Sequence, residues 1–313
     1  MRHEVSFTHN SAGLAGSLSL PGTSRPHPGV VLLQGSGPAD RNNFGYFTSI
    51  REHLVQRGIA VLSYDKPGIG GSSGDWRHQS LRERATEALA AVDFLRQWDG
   101  IDPACVGLYG HSQGGWVAPL AAAMAESVAF IVVVSGPGVT PAEQGVYAVE
   151  HGMHADDWPD EQVAEAVAFV GELNEAARRG DAFSALLPRL AHVQTTAWYA
   201  SLGKYFPVPE ADSWAFSIRP DPATGLVFAD YDPIQALERV QCPLLAVFGE
   251  RDWVVPVPRS VAMYEAALAR AANRDATVRV FAGADHRLYL GDTFVRGFLD
   301  AVAAWILQRT RSA

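Results

Sequence analysis

Six short apolar runs, separated by stretches of helical periodicity, constrain this chain more than any other feature. They are Gly29 to Gln34, Ile59 to Tyr64, Cys105 to Tyr109, Ala129 to Val134, Leu244 to Phe248 and Thr277 to Phe281. Most are almost continuously apolar and too short for a helix, which is how strands covered on both faces of a parallel sheet read. Between them lie helical patterns, the clearest from Ser80 to Gln97, with Leu81, Ala85, Ala88, Leu89, Val92 and Leu95 at three-to-four spacing. Strand-helix alternation of this kind predicts an α/β class fold built on a doubly wound, mostly parallel sheet. The first residues differ: Glu4 to Phe7 and Leu14 to Leu20 are expected to form an antiparallel hairpin at its edge.

The alternation stops at Ser135. From about 139 to 236 no buried-strand run occurs, and helical patterns such as Asp160 to Arg179 and Asp181 to Ala191 give way to an aromatic stretch containing Trp198, Tyr199, Tyr205, Phe206, Trp214 and Phe216. The expected organisation is therefore a core in two parts, 1–138 and 237–313, interrupted by a helical insertion at 139–236. Composition narrows the function. The 313 residues carry a net charge of −9 with no basic run, which removes the usual electrostatic footprint of a nucleic-acid binder. No apolar stretch is long enough to span a bilayer, and Met1 to Phe7 lacks a signal-peptide core. Cys105 and Cys242 are the only cysteines and sit in apolar runs, the usage of a reducing compartment. A cytoplasmic location is expected. Two lysines against 23 arginines suggest a GC-rich bacterial source.

The chemistry concentrates in Gly110-His111-Ser112-Gln113-Gly114. A G-x-S-x-G pentapeptide alone is weak, but this one directly follows one predicted strand and opens the predicted helix Gly115 to Ala125. That is the setting of a nucleophile elbow, where a strained turn lifts a serine above the carboxyl ends of the strands. A serine needs a base, and the base needs an orienting acid. Beyond the next-to-last strand stand Glu250 and Asp252; beyond the last stand Asp285 and His286, and His286 is the only histidine after His192. Asp252 is the expected acid with Glu250 as competitor, His286 the expected base, and Asp285 a turn residue. Two N–H groups must meet the charge that develops on a carbonyl oxygen. They are expected from Gln113 and from the loop after Gln34, most directly Ser36, with Gly35 and Gly37 beside it against the substrate. Trp116 and Trp253, next to these segments, are the candidate pocket-lining aromatics.

On these residues the chain resembles the α/β-hydrolases, specifically the bacterial carboxylesterase-like group related to dienelactone hydrolases and prolyl-oligopeptidase-type catalytic domains. The resemblance is carried by Gln34 to Asn42, Tyr64 to Ser72, Gly110 to Gly115, Ser135 to Gly138, Cys242-Pro243 with Gly249 to Asp252, and Asp285-His286. It implies ester hydrolysis through an acyl-enzyme, with Ser112, Asp252 and His286 in the matching positions and a helical cap over the site. Asp40 and Arg41 would lie in a loop beside the oxyanion hole. Pro67, where relatives often carry Arg, and Ser217 to Gly225 depart from the family pattern. The expected substrate is a small or medium organic ester or acyl compound, with no cofactor, metal, nucleic acid or membrane, in a monomer or homodimer. A thioesterase or acyltransferase on the same residues, a small peptidase, or a non-catalytic protein on this fold are the rival readings.

Other signals weigh less. Gly68 to Ser73 lacks the third glycine of a dinucleotide fingerprint and reads as a tight turn. His151 and His154 beside Asp156 and Asp157 lack helical metal-ligand spacing.

Overall fold

A computed structural model describes residues 1–23 and 26–310. Strands β1 (Arg2–His9) and β2 (Ala12–Ser19) form the antiparallel hairpin. They lead into β3 (His27–Leu33), α1 (Tyr46–Gln56), β4 (Ala60–Tyr64), α2 (Leu81–Arg96), β5 (Ile101–His111), α3 (Gly114–Met124) and β6 (Ile131–Val134). After a long excursion come β7 (Leu244–Gly249), β8 (Ala276–Phe281) and further helices. The eight strands form one sheet in the order β1-β2-β4-β3-β5-β6-β7-β8. From β4 to β8 every pairing is parallel, while β2 joins β4 antiparallel. This is the α/β-hydrolase fold.

The near-continuous apolar runs are explained by two cores, one on each face of the sheet. Alternate residues point opposite ways along a strand. Val31, Leu33, Leu108 and Val133 face α2 and α3, whereas Val30, Leu32, Tyr109 and Val132 face the side covered by α1. The two edge strands, β1 and β8, are the ones left half-exposed along their length. Helix α2 starts where the sequence predicts it: Ser80 and Glu83 cap each other, the Ser80 hydroxyl accepting from the Glu83 N–H and the Glu83 carboxylate from the Ser80 N–H.

Between β6 and β7 the described residues hold no strand. They form α4 (Pro141–Ala155), α5 (Asp160–Arg179), α6 (Phe183–Val193), α7 (Tyr199–Leu202), α8 (Ala211–Ser217) and α9 (Ile234–Leu237). α4 to α8 have a core of their own around Met153, Phe169, Leu173, Trp198 and Trp214. At about 1.5–3 kcal/mol for each large apolar side chain buried, that cluster is what orders the segment. The aromatic stretch, irregular in the sequence, supplies α7 and α8. Their anchors are indole hydrogen bonds, from Trp198 to Glu165 at 2.9 Å and from Trp214 to the Asp181 carbonyl at 2.7 Å. The chain returns to the sheet through α9, followed after β7 by α10 (Val257–Arg270) and after β8 by α11 (Phe298–Arg309). Among the described residues no helix is long and apolar enough to cross a membrane.

Candidate active site

β5 ends at His111, and the turn into α3 holds Ser112 at φ 54°, in the left-handed region that L residues seldom occupy. The flanking glycines explain why the turn can close. A Cβ on Gly110 would lie 2.1 Å from the Gly114 carbonyl oxygen, and one on Gly114 would lie 2.4 Å from that of Leu33. Both obstacles are backbone, which cannot swing aside. The half-buried Ser112 faces the loop after β3, where a Cβ on Gly35 would stand 3.2 Å from its own Cβ.

The loops after β7 and β8 bring Asp252 and His286 together. His286 Nδ1 donates to Asp252 Oδ2 at 2.8 Å. The other carboxylate oxygen of Asp252 accepts from the N–H groups of Val254 (2.8 Å) and Val255 (3.0 Å), and the side chain is fully buried. The imidazole is thus oriented from one side, and its Nε2 has no partner among the described residues. The ring lies beside the elbow, its centroid 5.2 Å from that of His111. No hydrogen bond joins Ser112 Oγ to His286 among the described residues. Burial and the neighbouring His286 push the His111 imidazole well below its ordinary value, so it is neutral near pH 7. Glu250 is elsewhere: its carboxylate accepts from the Gly283 N–H at 2.7 Å. Asp285 closes the turn after β8, accepting from the N–H groups of Arg287 and Tyr289, each at 2.8 Å.

Gln113 and Ser36 present backbone N–H groups that donate to no other described residue, the condition a free oxyanion donor must meet. The side chains behind them were not singled out in the sequence. Lys66, 1% exposed, donates from Nζ to the carbonyls of Gly35 (2.6 Å) and Gly37 (2.8 Å). Arg84, buried on α2, donates to the Gln34 carbonyl at 3.0 Å and to the Gln113 side chain. Gln34 itself donates to the Tyr64 carbonyl. A legible signal existed: Arg84 and Glu87 fall within the apolar stripe of α2, where charges need a reason.

Arg41 is structural. It donates to Asp65 (2.7 Å), to the Gly16 carbonyl (2.8 Å) and to Glu4, tying the loop to the hairpin. Burial pushes the Asp65 carboxyl up, but hydrogen bonds from Arg41 and Gly71 outweigh it and hold the group below the usual carboxylate range. Asp40 caps its own loop through the N–H of Asn42 at 3.0 Å.

One expectation needs correcting. Trp116 is not a pocket wall: it is 3% exposed, donates its indole N–H to the Pro137 carbonyl at 2.8 Å and lies edge-on to Phe228 and Tyr231. On α3, two positions beyond the elbow, it points into the core that α3 shares with α9. Trp253 is half-buried and meets the insertion, with its ring 5.9 Å from that of Tyr205. A cavity of about 350 Å³ lies at the far end of α3, walled partly by the unusual segment after Phe216, and includes none of Ser112, Asp252 and His286.

The alpha/beta hydrolase family model matches residues 30–297. The chain belongs to that family. It is 23% identical over 94% of its length to an uncharacterised 31.7 kDa protein of Escherichia coli, from the traX-finO intergenic region, of which 94% is covered. It is 26% identical to esterase EstD of Thermotoga maritima, over 78% of this chain and 51% of that one. An esterase of Pyrococcus furiosus superimposes with a TM-score of 0.65 at 18% identity, covering 99% of this chain and 91% of the other.

Proposed function

We propose that this chain is a serine hydrolase that cleaves a carboxylic ester of a small or medium organic substrate through an acyl-enzyme. The observation that carries the reading is the Asp252–His286 hydrogen bond of 2.8 Å beside a serine held at φ 54° at a strand-to-helix turn. Ser112 Oγ attacks the ester carbonyl carbon while His286 Nε2 takes its proton. Asp252 holds the proton of the imidazole on Nδ1 and stabilises the imidazolium that forms. The carbonyl oxygen, now an alkoxide, receives the N–H groups of Gln113 and Ser36. Collapse of the adduct expels the alcohol, which takes the proton back from Nε2, and water then releases the acid by the same steps. Gly35 and Gly37 offer backbone close to the substrate, and the insertion at 139–236 acts as a cap, with Trp253 at the seam. The names of EstD and of the Pyrococcus enzyme support an ester as the bond cleaved.

The test is intact mass after exposure to a fluorophosphonate, for the native chain and Ser112→Ala, followed by p-nitrophenyl esters of rising acyl length. One adduct on the native chain, none on the variant, and ester turnover with a chain-length optimum are expected. An adduct that persists in Ser112→Ala would remove Ser112 from the mechanism.

A further inference from the structure

Lys66 and Arg84 stand behind the two N–H groups just assigned, and neither takes part in the steps above. The Lys66 side chain enters from the end of β4, roofed by the Trp76 ring 5.6 Å from Nζ. Burying an amine costs several kcal/mol, and an apolar residue of equal volume would fill the space more cheaply. What the amine adds is direction. All peptide bonds among the described residues are trans, and a trans peptide points its carbonyl and its N–H in opposite directions. When Lys66 draws the Gly35 carbonyl to itself, the N–H of Ser36 in the same peptide plane must face away from the lysine. The second bond, to the Gly37 carbonyl, secures the other flank, and the peptide it belongs to carries no N–H because Pro38 follows. Without this tether, Gly35 and Gly37 would leave the loop many conformations.

Arg84 performs the matching task across the site. Its guanidinium joins the Gln34 carbonyl, which opens the same loop, to the side chain of Gln113, whose N–H is the other donor. One group thereby spans the two strands, β3 and β5, that deliver the two donors. The groups facing this pair are Glu87, one turn along α2 and bound by Gln79 at 2.6 Å, and Tyr64. Burial and Arg84 push the Lys66 amine well below its ordinary value, with Glu87 opposing. Charged or neutral, the amine retains the two N–H bonds that the loop requires.

We propose that Lys66 and Arg84 are positioning residues that set the oxyanion hole, Lys66 by orienting the Gly35–Ser36 peptide and Arg84 by fastening Gln113 to the loop after β3. The proposal rests on the reading of Ser112 as nucleophile and of Ser36 and Gln113 as the donors.

The test compares native protein, Lys66→Met and Gln113→Leu, the latter keeping its backbone N–H but losing the side-chain tether to Arg84. For each, kcat and KM on a p-nitrophenyl ester are measured, with inhibition by a trifluoromethyl ketone, which forms a tetrahedral adduct whose oxygen occupies the hole. Loss of one well-aimed donor costs about 100-fold or more in kcat. Lys66→Met should therefore lower kcat about 100-fold and weaken the ketone in parallel. KM should stay within about threefold and the pH profile of kcat/KM should be unmoved. Gln113→Leu should show the same pattern at about tenfold. Folded variants with native kcat and ketone affinity would overturn the proposal. So would a loss confined to KM or to melting temperature. Should Lys66→Met not fold, Gln113→Leu decides. Fluorophosphonate labelling of native protein against Ser112→Ala, run alongside, separates this outcome from failure of the mechanism: labelling that does not depend on Ser112 sinks the mechanism, whereas Ser112-dependent labelling with unaltered variants sinks only the positioning role.

Discussion

Asp252→Asn is the substitution whose consequence the structure specifies most fully. The native carboxylate has one oxygen on His286 Nδ1 and the other on two backbone N–H groups, those of Val254 and Val255. An asparagine has one acceptor and one donor end, so it must choose. Turning its NH2 toward Val254 and Val255 would set donors against donors in a fully buried place, at about 1–3 kcal/mol for each N–H left unpaired. It will instead keep its oxygen there and aim its NH2 at His286. Nδ1 must then accept, the ring proton moves to Nε2, and the nitrogen meant to receive the Ser112 proton already carries one. Loss of the correct tautomer costs about 10⁴-fold in kcat in enzymes using this arrangement, or about 5.5 kcal/mol at 1.36 kcal/mol per tenfold. Stability should change little by comparison, since two of the three hydrogen bonds survive. The assay is steady-state turnover of a p-nitrophenyl ester with thermal unfolding alongside. A folded Asp252→Asn protein retaining a tenth or more of native kcat would refute both the tautomer argument and the assignment of the acid.

Two further outcomes follow. His111 is held neutral by burial, so below about pH 6.5 the unfolded chain binds one more proton than the folded one, and stability falls as pH falls, by about 1.4 kcal/mol per pH unit until the folded group protonates. Urea unfolding at pH 7.5 and 5.5 should show His111→Gln losing about that much less than native protein, and equal losses would contradict the burial argument. A Cβ on Gly152 would stand 2.8 Å from the Trp253 ring and 2.6 Å from that of Tyr205, so Gly152→Ala should push Trp253, the neighbour of Asp252, and lower kcat about tenfold. A destabilised variant with native kcat would show that the insertion does not steady the acid.

The sheet was legible in the sequence because residues covered on both faces leave an apolar run that no helix needs, and the elbow because two glycines at fixed spacing follow such a run. Chain order could not separate Asp252 from Glu250, since both stand between Ser112 and His286, and only the match to the family's positions favoured Asp252; in space the pairing is decided by a side chain that turns inward at Asp252 and one that turns to Gly283 at Glu250. Helices α7 and α8 were illegible because their order comes from distant partners of Trp198 and Trp214, which no local pattern encodes. Trp116 misled for a related reason. Ser112 stands on the left-handed turn before α3 rather than on the helix, so its proximity along the chain does not set which side of α3 Trp116 faces. Lys66 was invisible as a positioning group because its partners are backbone carbonyls, which carry no sequence signal.

The order of the proposed catalytic residues along the chain follows from the order of strands in the sheet. With neighbouring strands about 4.8 Å apart, β7 is two spacings from β5 and β8 is three. Side chains pointing straight up from the strand ends could not meet across about 10–14 Å, so each loop must bring its residue back toward β5. The loops scale accordingly. Ser112 directly follows the last residue of β5, Asp252 stands three residues beyond β7, and His286 five beyond β8. β6 lies between, and its exit is Ser135-Gly136-Pro137-Gly138, residues that leave room above the sheet. Gly136 is held so close that a Cβ on Gly115 would lie 2.4 Å from its Cα, which keeps that loop down against α3. The proposed oxyanion loop needs no such reach, because β3 is the immediate neighbour of β5 on the other side. A nucleophile on the central strand, an acid two strands away and a base on the longest return loop are therefore one geometric solution. The Lys66 tether completes it by fixing the one short loop whose glycines would otherwise leave it free.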